Sequence, residues 1–182
     1  MSAPPGRRTK EAETDRRNSW YGYGTYISAE KDAFGRFLDD LAFAFLDISA
    51  FGLVALGWVA ASLDGRRFGL QATALVAWLT MALVAALLRG GWVRPLGTPV
   101  RGWVSLSPSM ILLRLAYYNA ALAVATVGGV AFAELSGRPA VAGGFAFLTA
   151  ALAVGTFPRS AELVARVVAE RWPSGVPGEY RL

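Results

Sequence analysis

The sequence contains no cysteine and no histidine. Without cysteine there are no disulfides and no thiol chemistry, and the redox compartment leaves no trace. Losing both residues removes the usual ligands of zinc, haem and iron–sulfur sites and the commonest general base near neutral pH. Charge is scarce too, at 17% of 182 residues, against 54% apolar. Soluble domains carry about 25% charged residues and spread them along every amphipathic element. Here long stretches carry none. No phosphate-binding glycine loop, serine-nucleophile motif or dinucleotide fingerprint occurs, so cofactors are expected to be none, as are catalytic and metal sites.

What is present reads as an all-α polytopic membrane protein, a four-transmembrane-helix bundle followed by a C-terminal interfacial amphipathic helix. The spans are expected at 41–63, 70–88, 110–133 and 140–157. Each is long enough for a hydrocarbon core of roughly 30 Å. Residues 70–88 and 140–157 hold no charged side chain. Three regions result: a basic, aromatic, disordered tail at 1–26, the membrane domain at 27–158, and an amphipathic helix with its tail at 159–182.

The tail is mixed-charge and poor in apolar residues, so it cannot offset its ordering entropy. It lacks the apolar stretch of a secretory leader and the glycine needed after the first methionine for myristoylation. Trp20-Tyr21-Gly22-Tyr23-Gly24-Thr25-Tyr26 fits an interfacial aromatic anchor or an aromatic linker. Ser28 offers an N-cap for a surface lead-in helix with Ala33, Phe34, Phe37, Leu38 and Leu41 on its apolar stripe. Arg36, Asp39 and Asp40 are expected on its wet face. The segment between the second and third spans, with Trp92 and Trp103 beside arginines, fits a loop along the interface. Pro158 is expected to close the fourth span. Beyond it, Leu163, Val164, Val167, Val168 and Trp172 share one face, and Glu162–Arg166 and Arg166–Glu170 pair at i,i+4 on the other. That pattern suits the membrane surface. A partner-binding helix or a short coiled coil is the alternative.

Arginine and lysine placement sets the orientation. With the N-terminus inside, fifteen of the eighteen basic residues fall on the cytoplasmic side; only Arg66, Arg67 and Arg138 fall outside. Both termini are therefore expected in the cytoplasm, with the chain in the cell membrane. The net charge of +5 is read as topology and headgroup attraction, not nucleic-acid binding.

Lipid supplies no hydrophobic drive between helices, so close packing needs small residues at regular spacing. Ala121, Ala125, Gly129 and Ala133 form one such ridge, and Ala142, Ala146 and Ala150 another. They predict a tight antiparallel hairpin of the last two spans. Asp47 is the one charge in the first span, and an aspartate facing lipid at mid-helix costs about 2.5–3.5 kcal/mol. Arg114 and Asn119 enter at comparable depth. The expectation is an intramembrane polar cluster of Asp47, Arg114 and Asn119. Such a cluster locks the first and third spans together, serves as a proton or cation site, or leaves Asp47 wet at the headgroups. Glu134 and Arg138 read as a solvated pair.

Arg36…Asp40 and Gly97-Thr98-Pro99-Val100-Arg101-Gly102-Trp103-Val104, with Arg114, are similar in two short pieces to the RDD family of small membrane proteins. The arginine-to-aspartate spacing and the fourth span depart from that pattern, so no activity is carried over. Function is expected in a non-enzymatic scaffold, accessory or assembly subunit. The alternatives are an oligomeric solute, proton or ion pore or carrier using Asp47, a holin-like pore included, and then a membrane enzyme. Expected partners are the lipid bilayer and a membrane protein or a second copy.

Overall fold

The computed structural model describes residues 16–20, 26–62, 68–99 and 107–171. The expectations for 1–15, the glycine–aromatic run at 21–25, Arg66 and Arg67, Arg101 and Trp103, and Trp172 with the tail lie outside these residues.

Two short strands come first, β1 (Arg16–Trp20) and β2 (Tyr26–Glu30), paired antiparallel with Arg16 opposite Glu30 and Trp20 opposite Tyr26. The hairpin adds a strand pair to a chain expected to be all helical. Ser28 lies in β2, ahead of the helix start. The first helix, α1 (Ala33–Phe51), is capped by Asp32, whose Oδ1 accepts the Gly35 N–H at 2.8 Å. Aspartate serves that role as well as serine.

The expected first span is one apolar run but two helices. α1 stops at Gly52, and α2 (Leu53–Ala61) departs at 70°. Gly52 is buried, with φ −89° and ψ 4°. A Cβ there would lie 2.6 Å from Leu122 Cδ1 and 2.7 Å from the Ile48 carbonyl oxygen. The bend therefore fits only a residue without a side chain.

α3 (Phe68–Arg89), α4 (Pro108–Ser136) and α5 (Ala140–Arg171) are each long and apolar enough to cross a membrane. Counting α1 with α2 as one broken span gives four. α3 touches α1, α4 and α5, and its buried positions are mostly small: Ala74, Ala77, Ala82, Ala85 and Ala86. α4 starts with Pro108 in its first turn, where the missing N–H costs nothing. It ends at Gly137, which adopts the left-handed conformation (φ 64°) and donates to the carbonyls of Ala133 and Glu134.

The α4–α5 hairpin is the most extensive helix pairing. Ala125, Ala146 and Ala150 are fully buried, and Ala121, Gly129 and Ala142 nearly so. A Cβ on Gly129 would sit 2.8 Å from the Ala142 carbonyl oxygen and 2.9 Å from Thr73 Cγ2. Here α4 meets the backbone of α5 and a side chain of α3.

The fourth span does not stop at Pro158. α5 runs through it to Arg171, so the expected separate amphipathic helix is the last part of the same helix. Proline removes one backbone N–H, and fixed neighbours replace the support. Pro158 itself is fully buried. The segment after α3 docks alongside, with Leu96 N–H on the Gly155 carbonyl at 2.8 Å and Thr98 Oγ1 on Glu162 Oε2 at 2.8 Å. That docking also orients the extension. Glu162 faces the bundle, while Leu163 (47%) and Val167 (57%) are exposed.

Candidate functional site

Asp40, Ala44, Asp47 and Ile48 are the buried residues of α1. Their spacing puts them on one helical face. Two carboxylates thus point into an apolar bundle, where an uncompensated charge is expensive. Each meets an arginine. Arg114 of α4 donates from Nη1 to Asp47 Oδ1 at 3.0 Å, and the two side chains are 2% and 6% exposed. Tyr118, one turn further along α4 and fully buried, donates its hydroxyl to Asp47 Oδ2 at 3.4 Å. The Arg114 guanidinium also lies 5.1 Å from the centre of the Phe51 ring.

The second pair was not legible in the sequence. Asp40, expected on a wet face, is fully buried, and Arg89 at the end of α3 donates from Nε to its Oδ1 at 3.2 Å. The Arg89 guanidinium lies over the Phe43 ring at 3.7 Å. Asp39, its neighbour, behaves as expected: it is partly exposed and pairs with Lys31 at 2.6 Å. Adjacent aspartates on a helix point about 100° apart. One faces the core and the other does not, and only the position of α3 decides which.

Asn119, grouped with Asp47 and Arg114 from depth alone, is used elsewhere. Its Oδ1 accepts the Ala55 N–H at 2.7 Å, and its Nδ2 donates to the Phe51 carbonyl at 2.7 Å and to that of Leu115 at 2.6 Å. In an unbroken helix Ala55 N–H would donate directly to the Phe51 carbonyl. The Asn119 amide sits between them and closes the gap. The structure therefore divides the expected cluster into a buried ion pair, Asp47–Arg114, and a bridged helix break at Gly52, joined through Phe51. A third polar group lies at the far end of α5. There Glu162 accepts from Thr98, pairs with Arg159 at 3.3 Å and also pairs with Arg166.

Between these groups the interior is lined by aromatic rings. Phe157 lies between Tyr117 and Tyr118, with ring centres 5.2 and 5.1 Å away. The Tyr117 hydroxyl donates to the Ala153 carbonyl at 2.9 Å. Among the described residues no group of three or more acidic side chains is placed to hold a metal ion.

A family model described as a domain of unknown function, DUF8215, matches residues 31–164. The match takes in both ion pairs, Asn119 and the whole of α1 to α4. The chain belongs to that family. No curated protein and no solved structure matches it. The DUF8215 match ends at Val164, within the extension of α5, and begins after the hairpin.

Proposed function

We propose that the chain is a four-span protein of the cell membrane, both ends cytoplasmic, acting as a non-enzymatic scaffold, accessory or assembly subunit. The observation carrying this reading is that the interior charges and the interior amide all join one helix to another. Arg114 and Tyr118 occupy both oxygens of Asp47, Arg89 meets Asp40, and Asn119 bridges α1 and α2. The outward faces support a bilayer as solvent: Leu46, Val54, Leu112, Val124, Leu148 and Leu152 are all well exposed, far more apolar surface than a soluble monomer tolerates. The asymmetry of arginine and lysine supports the orientation. The partners are then the lipid bilayer and a second membrane protein or another copy of this chain.

Crosslinking in intact membranes, followed by purification in mild detergent, tests this directly. A stoichiometric crosslinked partner or oligomer is expected in the pellet fraction. Recovery of the chain only as an uncrosslinked monomer would count against a scaffold.

The break in the first span favours a second reading, an oligomeric proton, ion or small-solute carrier. Interrupted helices accompany binding sites in many transporters, and Gly52 lies five residues beyond Asp47. Proton flux into liposomes that Asp47→Asn abolishes would favour it; flux equal to that of empty vesicles would remove it.

A further inference from the structure

We propose that α1 and α2 form a two-position hinge, bent at Gly52 in this structure and straight in a second state, with the Asn119 side chain as its latch. A primary amide carries one carbonyl oxygen and one NH2 group, the same acceptor and donor types as a peptide unit. The Asn119 amide therefore completes the Phe51–Ala55 step with both bonds at 2.7 Å. Water is scarce in a bilayer interior, and a backbone pair left open there is costly. Two arrangements leave neither group open. In one the helix is bent and Asn119 is inserted; in the other it is straight and Ala55 N–H donates directly to the Phe51 carbonyl. Arrangements between them satisfy neither group, which makes the element bistable rather than merely pliable.

The interruption is confined to the steps of Leu53, Val54 and Ala55, since the ladder holds at both of its ends. Gly52 N–H donates to the Ile48 carbonyl at 2.7 Å and Leu56 N–H to the Gly52 carbonyl at 3.0 Å. Straightening therefore requires rotation at only a few residues. Gly52 biases the choice. In the bent form any side chain at 52 meets Leu122 and the Ile48 carbonyl, whereas helical backbone angles accept alanine readily. α2 is packed on one side only: Ala55 and Leu56 rest partly buried against the core and Val59 is buried, while Leu53, Val54, Gly57, Trp58 and Ala60 are exposed. The latch is also tied to the ion pair. Phe51 gives its carbonyl to Asn119 and its ring to the Arg114 guanidinium. Breaking Asp47–Arg114 should loosen Phe51 and favour the straight form.

The hinge goes beyond either functional reading and depends on neither scaffolding nor transport. The test is pulsed electron paramagnetic resonance on the full chain, free of native cysteines, with nitroxides on cysteines introduced at Ala42 and Ala60, both exposed, in lipid nanodiscs and in detergent. With a 70° bend the backbone separation is ~22 Å, and in a straight helix it is ~27 Å. The wild type is expected to show the shorter distance as its main population and the longer as a minor one. Asn119→Leu and Gly52→Ala are each expected to move the main population out by ~5 Å, and Asp47→Asn to enlarge the minor one. Gly52→Ala leaves the ion pair and Asn119 intact, so it decides the matter if Asn119→Leu fails to fold. A single short distance in the wild type that Gly52→Ala leaves unmoved overturns the hinge. So does a loss of helix at α2 in place of a longer distance. A chain that does not sediment with membranes defeats the bilayer reading and leaves this measurement standing.

Discussion

Asp40 and Asp47 stand two helical turns apart on one face of α1, and each is held by an arginine from a different helix. Arg89 comes from the end of α3 and Arg114 from the start of α4. The first helix is thereby fastened to two neighbours by buried ion pairs about 10 Å apart along its axis.

Removing one member of the Asp47–Arg114 pair leaves the other buried without its opposite charge. Arg114→Leu or Asp47→Leu is expected to destabilise the chain by about 3–5 kcal/mol. The double replacement should recover most of that loss, because neither charge is then buried alone. Reversible unfolding in mixed micelles, followed by tryptophan fluorescence, gives the comparison. Two single losses that simply add in the double variant would argue that the pair is not coupled.

Adjacent aspartates should behave differently. Asp40→Ala breaks a charged hydrogen bond to Arg89 and should cost about 1.5–3 kcal/mol. Arg89 is slightly exposed, so its long stem can carry the charge towards the interface and limit the damage. Asp39→Ala removes a surface pair and should stay within about 1 kcal/mol. Equal losses at the two positions would contradict the burial seen here.

Two glycines one helix apart make an internal control for packing. Gly129→Ala places a methyl against the Ala142 carbonyl and Thr73 and should cost about 1–3 kcal/mol. Gly143→Ala meets nothing within 4 Å and should be neutral, or stabilising by up to about 1 kcal/mol. Thermal melts of the two variants in one detergent suffice.

Thr126 is almost completely buried in α4, and its hydroxyl has no hydrogen-bond partner among the described residues. Valine has nearly the same shape without the polar atom. Thr126→Val is expected to raise stability by about 1 kcal/mol. A fall of that size would mean the hydroxyl has a partner such as ordered water.

Threading can be read with single cysteines in a chain that has none of its own. A cysteine at Arg138 should react with an impermeant maleimide added outside intact cells, and one at Arg94 only after permeabilisation. The reverse pattern would invert the topology.

Much of this fold was legible because it is written in local pattern. Long apolar runs predict α3, α4 and α5 to within a few residues at most ends, and the small-residue ridges predict the face on which α4 meets α5. Depth alone brings Asp47 to Arg114. What escaped depends on partners distant in sequence. Gly52 looks like any glycine in an apolar stretch, and the residue that bridges its break, Asn119, comes from another helix. Asp40 and Asp39 have the same local chemistry and part company only where α3 packs. Pro158 reads as a stop, and α5 passes through it beside a loop whose docking no local signal announces. Asn119 stands out in the sequence as a polar residue within an apolar run, but depth cannot tell whether it faces a carboxylate or a backbone gap.

The bond from Leu96 to the Gly155 carbonyl ties a stretch made earlier to a helix made later. During synthesis, the segment after α3 leaves the ribosome well before α5 exists, and it cannot adopt its final shape until Gly155 arrives. A chain halted after α4 should therefore leave this stretch open to protease, and completion of α5 should protect it. Assembly of this bundle finishes by folding back on its own middle.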